Sequence, residues 1–327
     1  MSRIVRWEFW LCVLLAAEIL CFGLLNPGFW DVSSILYSMN DFIYIGLAAV
    51  PMTFVIITGG IDVSVGSVMG LTSITVGMLW SSGVNIWVAV ALALLVGIAA
   101  GAVNGSLVAW TNVQPLVITL GGMFLFSGIA LVVSGGSNAQ GYEGISGFPD
   151  SFVQLANDSI LGLPNLLLLF LGSTVCFGVL LHLTRYGRNV YLVGINAKTA
   201  RYSGVMTRWT VLGTYMLSGL GAAIGGIVLS SYFGSARSDL GAEAVLPVIT
   251  AVVLGGTSIT GGRGTVFGTA VASILIGLMQ YGLQMIDLSS QQTTIVIGLM
   301  LILTVAIRQF QWDKWKSALR KYRQANT

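Results

Sequence analysis

Ten apolar runs, each near the length needed to cross a lipid bilayer, dominate this sequence. A helix rises 1.5 Å per residue, so about 20 apolar residues cross the roughly 30 Å of hydrocarbon in a membrane. Backbone polar groups find no water there, so such runs are expected to be helices. The sequence therefore predicts an all-α integral membrane protein with about ten transmembrane helices. The runs lie at residues 8–25, 42–58, 65–81, 86–109, 115–134, 163–183, 209–230, 245–258, 266–286 and 291–308.

The scarcity of charge supports this fold class and excludes two others. Only 8% of the 327 residues are charged, against about 25% in an average soluble domain. So few charges cannot cover the surface of a water-soluble enzyme, and the 55% apolar content excludes a disordered chain. We expect one membrane domain over residues 1–308, followed by a basic, amphipathic cytoplasmic tail at 309–327.

The positive charges predict the orientation of the runs. Thirteen of the fifteen Lys and Arg residues lie before the first run, in the segment 184–208, or from Arg308 onward. Positive charge stays on the cytoplasmic side of a membrane, so an even number of crossings must separate these regions. The six runs before the segment and the four after it satisfy that condition. Both termini and the segment 184–208 are therefore expected in the cytoplasm.

Few residues could carry chemistry. The single histidine, His182, and the three cysteines show no metal-ligand spacing, so we expect no metal site, no catalytic group and no enzyme. Two carboxylates, Glu18 and Asp62, are expected at membrane depth, and these are too few for a typical ion-coupled carrier. The energy for any transport should therefore come from another subunit. A self-sufficient secondary carrier or channel is the alternative.

Two glycine-rich stretches interrupt the apolar runs. Residues 58–67 lie at the end of the second run, residues 255–264 lie at the end of the eighth, and each stretch contains a Gly-Gly pair. Broken helices at membrane depth are tolerated in the protein interior or beside a watery path. Each stretch is therefore either a tight turn or part of a pathway. The candidate pathway residues are Asp62, Ser64, Ser67, Asn104, Thr119 and Thr257.

Glycines at four-residue spacing predict where helices pack closely. Gly97, Gly101 and Gly105 form one such series. In lipid, close backbone approach and van der Waals contact hold helices together. We expect this series to mark a seam between two helices and to have no chemical role.

The segment 184–208 contains five basic residues and no acidic one. Its middle, Asn196 to Tyr202, predicts a short helix with Asn196 as the N-cap and Gly204 after its end. The small residues Gly194, Ala197 and Ala200 would leave a flat face on which another protein could dock. A solvated basic loop is the alternative.

Three stretches together resemble the inner-membrane permease subunits of bacterial sugar-type ABC importers, the ribose, xylose and galactose group. They are residues 59–67, residues 187–205, and residues 251–265. The resemblance implies a multi-pass permease that pairs with a second permease, two cytoplasmic ATPase subunits and a periplasmic binding protein. It implies no cofactor on this chain, because partner subunits use the ATP, and no nucleic-acid partner. It also implies a coupling helix that rests on the ATPase, with the coupling residues Gly194, Asn196, Ala197, Ala200, Arg201 and Gly204.

One branch of that family is more similar than the sugar permeases. Pro247 stands where sugar permeases usually carry an acidic residue, and the stretches 231–242 and 141–149 are distinctive. These features resemble the permeases that import autoinducer-2, a small, neutral, polyhydroxylated furanone. The resemblance implies half of a heterodimeric pore for that solute. A permease for ribose or a related sugar is the alternative.

The outer loops 135–162 and 231–245 are expected to dock the binding protein. Arg237, Asp239 and Glu243 are the candidate docking residues, and an ion pair across the docking surface would be one use of Arg237. A local pair with Asp239 is the alternative, and exposed pairs contribute only about 0–1 kcal/mol. The tail 309–327 is expected to lie on an anionic leaflet or against the ATPase.

Overall fold

A computed structural model describes the backbone of residues 2–135 and 144–309, and the side chains from Trp7 to Ala306 within those ranges. The predicted tail beyond Gln309 and part of the stretch 141–149 lie outside the described residues.

The described residues form a helical bundle with one very short antiparallel hairpin. In the hairpin, β1 (Ser159–Ile160) pairs with β2 (Leu163–Pro164), and Ser159 lies opposite Pro164. Short 3-10 turns lie at Pro27–Trp30, Met39–Asp41 and Ala242–Ala244. The α-helices are α1 (Ser2–Leu25), α2 (Val32–Ser38), α3 (Ile43–Ile57), α4 (Val65–Ser81), α5 (Ile86–Trp110), α6 (Pro115–Val133), α7 (Asp150–Asn157), α8 (Asn165–Leu183), α9 (Arg185–Ile195), α10 (Ala197–Tyr202), α11 (Thr207–Phe233), α12 (Val245–Leu254), α13 (Val266–Met285) and α14 (Ser290–Gln309).

Every predicted apolar run coincides with one helix, so the all-α membrane architecture is confirmed. The ten matching helices are α1, α3, α4, α5, α6, α8, α11, α12, α13 and α14. Among the described residues, six of them are individually long and apolar enough to cross a membrane, and α2 with α3, bent by 61°, would make a seventh. α4, α12 and α14 are apolar but shorter. The number of crossings and the side of the termini therefore stay predictions.

Helix α3 lies at the centre of the bundle. It is buried along nearly its whole length, and it packs against α8, α11, α12 and α13. The outer helices differ, because α5, α6 and α8 expose large apolar side chains such as Leu95, Phe124 and Val175. Such exposed apolar faces suit contact with lipid. The break that follows α3 lies at the buried centre of the bundle, where surrounding protein shields its backbone from lipid.

The predicted glycine series forms the seam between α5 and α11. A Cβ on Gly101 would overlap the backbone of Tyr215, and a Cβ on Gly105 would lie 2.8 Å from the Tyr215 Cβ. A Cβ on Gly219 of α11 would overlap the backbone of Gly97. The two helices thus meet backbone to backbone, as the four-residue spacing predicts.

Gly101→Ala should destabilise the folded protein, because the added methyl has no space between α5 and α11. Overpacking of this kind costs about 1–3 kcal/mol, so the melting temperature in detergent should fall by several degrees. Gly128→Ala in α6 is the matched control, since a Cβ there would meet nothing within 4 Å. Equal melting temperatures for the two variants would contradict the seam.

Candidate functional site

The first break, residues 58–64 between α3 and α4, holds a buried carboxylate. Asp62 is only 2% exposed. Its Oδ1 accepts hydrogen bonds from the Ser64 backbone N–H at 3.1 Å and from the Ser64 hydroxyl at 2.6 Å. Its Oδ2 accepts a hydrogen bond from the Ser218 hydroxyl of α11 at 2.8 Å. The carboxylate therefore stabilises the turn locally and also ties it to α11.

Two further helices bond to the same break. The Asn104 amide of α5 donates to the Ser64 hydroxyl oxygen at 2.8 Å, and the Thr119 hydroxyl of α6 donates to the Ile61 carbonyl at 3.0 Å. The Ser67 hydroxyl donates to the Ser64 carbonyl at 2.8 Å. We call this set the first-break network; it comprises Ile61, Asp62, Ser64, Ser67, Asn104, Thr119 and Ser218.

The structure thus brings together five of the six predicted pathway residues. All five are buried, and their polar atoms bond to one another or to the backbone. The arrangement fixes the shape of the break between three helices. Whether these side chains also contact a solute stays a prediction.

Sequence reasoning missed two residues of α11 that face this break. Ser218 completes the network, and Tyr215 lies one helical turn before it. A Cβ on Gly60 would lie 2.5 Å from the Tyr215 hydroxyl oxygen. That oxygen is buried and has no hydrogen-bond partner among the described residues. Polar residues within an apolar span are the sequence signal that could have identified both.

The second break, residues 255–265 between α12 and α13, is a tight glycine turn. Gly261 and Gly262 have φ values of +83° and +76°, a left-handed backbone that favours glycine. The Ser258 N–H donates to the Arg263 carbonyl at 2.9 Å and closes the turn. Thr257 is fully buried here, and its hydroxyl oxygen would lie 2.5 Å from a Cβ on Gly264.

The two breaks and the segment 184–208 meet at one point. The Gly262 N–H donates to the Ile57 carbonyl, at the end of α3, at 2.8 Å. A Cβ on Gly194 would overlap that same carbonyl oxygen and lie 2.6 Å from the Gly262 nitrogen. We call Ile57, Gly194 and Gly262 the glycine junction. At this point, only glycine at position 194 allows the three backbones to approach one another so closely.

Helix α9, which the sequence did not predict, carries Gly194 to this point. The Tyr191 hydroxyl donates to the Gly264 carbonyl of the second break at 2.7 Å, and the Tyr186 hydroxyl donates to the Thr210 carbonyl of α11 at 3.1 Å. Burial, assisted by the nearby Glu8 carboxylate, raises the pKa of the Tyr191 hydroxyl to about 12. Tyr191 therefore stays protonated and able to donate at neutral pH.

The predicted short helix forms as α10, with the predicted caps. The Asn196 side chain accepts from the Thr199 N–H at 3.0 Å, and Gly204 follows the helix with φ +84°. Of the three small residues of the predicted docking face, Ala197 is exposed, Ala200 is 3% exposed, and Gly194 packs at the glycine junction. Contact of the predicted coupling residues with an ATPase stays a prediction. The exposed side of α10 also carries Lys198, Arg201 and Tyr202, the last of which is 92% exposed.

The start of α1 is bonded to the second break. The Trp7 indole N–H donates to the Leu254 carbonyl at 2.9 Å, and the Thr265 hydroxyl donates to Glu8 Oε1 at 2.7 Å. Glu18, the other carboxylate at membrane depth, has buried oxygens without a partner among the described residues. No hydrogen bond joins it to the first-break network in the described part of the chain.

In the loop that follows α11, Arg237 pairs with Asp239. This local pair is the alternative that the sequence left open. The Arg237 Nε–H donates to Asp239 Oδ1 at 2.9 Å, and a second contact joins Nη2 to Oδ2. The hydrogen bond to Asp239 raises the pKa of Arg237. Glu243 is exposed nearby in the chain. Docking of a binding protein on these residues stays a prediction.

No cluster of His, Cys, Asp and Glu within the described ranges could hold a metal ion. The site is therefore a hydrogen-bonded and backbone-packed assembly of two breaks and a short surface helix.

Comparison with known proteins finds similarity to membrane permeases over most of the chain. Residues 34–305 match the family model described as the branched-chain amino acid transport system / permease component. Three relatives are each named "Autoinducer 2 import system permease protein LsrD". The one from Salmonella typhimurium is 46% identical and covers 99% of both chains. The one from Yersinia enterocolitica is 49% identical over 92% of this chain and 91% of its own. The one from Escherichia coli is 47% identical over 92% of both chains.

A solved structure shares the fold despite low sequence identity. A chain of a metal-chelate type ABC transporter in an inward-facing conformation superposes with a TM-score of 0.52 at 14% identity. It covers 94% of this chain and 100% of its own. The likeness supports the helical membrane fold alone.

Ser218→Ala should destabilise the protein more than an ordinary serine-to-alanine change, because it removes a donor from the buried Asp62 carboxylate. Leaving a buried acceptor without its partner costs about 1–3 kcal/mol, which thermal unfolding in detergent can measure. Ser173→Ala is the control, since that hydroxyl bonds only to the Phe170 carbonyl of its own helix. Equal effects of the two changes would show that Ser218 does not hold the first break.

Proposed function

This chain belongs to the branched-chain amino acid transport system / permease component family, and we propose that it forms half of a heterodimeric pore for autoinducer-2 uptake across a bacterial inner membrane. The observation that carries the proposal is the 46–49% identity, over at least 92% of the chain, to permeases named for autoinducer 2 import. The family description alone names a different solute class, so the choice of solute rests on these relatives.

The chemistry of the bundle fits a small neutral solute. Autoinducer-2 carries hydroxyl groups and no charge, so it needs hydrogen-bonding partners and no fixed counter-charge. The first-break network supplies Ser, Thr and Asn side chains, and its one carboxylate already accepts three hydrogen bonds. A change in the break would release these hydroxyl and amide groups to a polyhydroxylated solute.

In this proposal, other subunits supply the energy for transport. The chain is a permease, which is normally not an enzyme, and it uses no cofactor of its own. Two cytoplasmic ATPase subunits would bind and hydrolyse ATP, and a periplasmic binding protein would deliver the solute. A second, non-identical permease would complete the pore. Arg237, Asp239 and Glu243 are the candidate residues for docking of the binding protein.

Helix α10 would receive the motion of the ATPase. Its exposed side chains Lys198, Arg201 and Tyr202 are available to a partner, and exposed aromatic and arginine side chains often dominate protein interfaces. The buried Ala200 fixes the helix against the rest of the chain. A displacement of α10 would therefore move α9 as well, since the two helices are nearly continuous in sequence.

The glycine junction would pass this displacement to both breaks. Gly194 contacts Ile57, the last residue before the first break, and Gly262 of the second break without an intervening side chain. Packed protein interiors are hardly compressible, so backbone atoms in contact must move together. One motion of the segment 184–208 would thus reach the ends of α3 and α12 at once.

Gly194→Ala should uncouple uptake from ATP hydrolysis, because the added methyl would separate α9 from both breaks. We expect uptake to fall by at least about tenfold, the effect of roughly 1.4 kcal/mol on a transport barrier. Membrane insertion should persist. Gly172→Ala in α8 is the control, since a Cβ there would meet nothing within 4 Å. Uptake at the wild-type level in Gly194→Ala would contradict the proposed coupling route.

The solute itself can be tested in a strain that lacks this chain. The proposal predicts that the deletion abolishes clearance of autoinducer-2 from the medium, that the wild-type chain restores it, and that growth on ribose is unchanged. Loss of growth on ribose with normal clearance would instead support the sugar permease. Uptake by the purified chain in liposomes without any ATPase would support a secondary carrier and contradict the ABC mechanism.

A further inference from the structure

The non-helical chain between α11 and α12 runs along one face of α4, and we call residues 236–241 the descending segment. Beside its start, a Cβ on Gly77 would lie 2.7 Å from the Ala236 Cβ. Beside its end, a Cβ on Gly66 would overlap the Gly241 carbonyl oxygen. Gly77 and Gly66 are 11 residues apart on one helix, so these contacts span about 16 Å along α4.

The lower end of the descending segment lies level with the middle of the bundle. There, the Asp62 carboxylate before α4 bonds to Ser218, near the middle of the 27-residue helix α11. Helix α12 begins at the same level, because the Val245 Cγ2 would lie 3.0 Å from a Cβ on Gly66. Its ten residues rise about 15 Å, half of the roughly 30 Å of hydrocarbon in a membrane.

This part of the chain is therefore an interrupted span. Helix α12 ends at the second break, which meets the predicted cytoplasmic segment 184–208 at the glycine junction. It thus covers the inner half of the bilayer, and the descending segment covers the outer half. Non-helical backbone at membrane depth is tolerated only inside protein or beside a water-filled cavity.

Charged side chains of this outer half are exposed. Arg237 and Asp239 form an ion pair in which the side chains are 42% and 36% exposed, and Glu243 below them is exposed as well. Lipid cannot solvate such groups, so charges at membrane depth face the bundle interior or a watery cavity. The exposed side of the descending segment therefore faces water.

The ion pair retains hydrogen-bonding capacity. Arg237 donates to Asp239 through Nε and Nη2. A guanidinium has more N–H donors than this pairing uses, and each carboxylate oxygen has a further lone pair. Neighbouring hydroxyl groups of a polyol can accept from such a guanidinium and donate to such a carboxylate, and these charge-assisted bonds are strong. A neutral polyol can therefore bind without separating the pair.

We propose that the descending segment lines the outer half of the solute pathway, and that the Arg237–Asp239 pair binds the hydroxyl groups of a neutral polyol as it passes. The class of solute rests on the proposed function. The pathway continues toward the first-break network, which precedes α4 beside Gly66. This role differs from docking of the binding protein, and the experiments separate the two.

Cysteine reactivity tests whether this part of the chain faces water. The full-length chain without Cys12, Cys21 and Cys176 is assembled in the complete importer, and a charged, membrane-impermeant methanethiosulfonate is added from outside. Glu243→Cys should react without nucleotide or with trapped ATP. Val175→Cys, 66% exposed near the middle of α8, is the control and should react at least about tenfold more slowly, because the thiolate is the reactive form. Equally slow reaction at both positions in both nucleotide states would overturn the proposal.

Uptake by the complete importer in proteoliposomes tests solute binding. Asp239→Asn should lower autoinducer-2 uptake at least about fivefold, because it removes a charge-assisted acceptor. Stimulation of ATP hydrolysis by the binding protein should stay near the wild-type level. Asp287→Asn is the matched control, the same change at an exposed residue between α13 and α14, and it should alter neither activity.

Two outcomes of this experiment would overturn the proposal. Wild-type uptake in Asp239→Asn would show that the carboxylate does not bind the solute. Equal loss of uptake and of ATPase stimulation would show that the residue docks the binding protein instead.

Exchange of the two charges separates solute binding from stability. The double variant Arg237→Asp with Asp239→Arg keeps an ion pair, so its melting temperature should lie closer to that of the wild type than the melting temperature of Asp239→Asn does. Its uptake should stay low, because donor and acceptor have changed places. Wild-type uptake would show that the pair only stabilises the segment and would overturn its role in binding.

Failure of the wild-type importer to take up autoinducer-2 would contradict the proposed function. The cysteine reactivity would still decide whether the descending segment lines a water-filled path, because that measurement needs no solute.

Discussion

The hydrogen bond from the Gly262 N–H to the Ile57 carbonyl is the contact on which the rest of this structure depends. It joins two breaks that are about 200 residues apart in the sequence, at a distance of 2.8 Å. Gly194 packs against both partners, and any side chain there would separate them. A surface segment thus reaches the interior through direct backbone contact at Gly194, supported by the Tyr191 hydrogen bond to the second break. Because of this packing, we expect the segment 184–208 to move together with the bundle and not to behave as a solvated loop.

The first break shows how a mostly apolar chain accommodates a carboxyl group deep in the molecule. Unpaired polar groups at membrane depth are costly, so an interrupted helix must be satisfied within protein. Asp62, with Ser64, Asn104, Thr119 and Ser218, supplies those bonds from three helices. The second break has no equivalent carboxylate in its turn and relies on glycine geometry and on α1. The two breaks are therefore held differently, although both contain a Gly-Gly pair.

Hydropathy predicted the ten main helices well, because a long apolar run in lipid must satisfy its own backbone hydrogen bonds and therefore forms a helix. The caps of α10 were also predictable, since Asn196 and Gly204 act on the residues beside them. Helix α9 was not predicted, because Arg185–Ile195 mixes basic and apolar residues and forms no membrane-length apolar run. Its support comes from Tyr191 and Tyr186 contacts with distant segments. Ser218 and Tyr215 were missed for the same reason: Asp62, which Ser218 bonds, and Gly60, against which Tyr215 packs, both lie more than 150 residues away. The orientation of Ala200 followed from tertiary packing, which local spacing does not encode.

The most direct test of the central claim is a pair of spin-label distances in the assembled importer, made in a background without Cys12, Cys21 and Cys176. Labels at Lys198 and Thr260, both exposed, report the segment 184–208 and the second break, and Ser82 at the far end of α4 serves as the reference. On ATP binding, the 198–260 distance should stay constant, while the distances from 198 and from 260 to 82 change together. A change in the 198–260 distance while 260–82 stays fixed would show that the segment moves without the breaks, and would contradict the account.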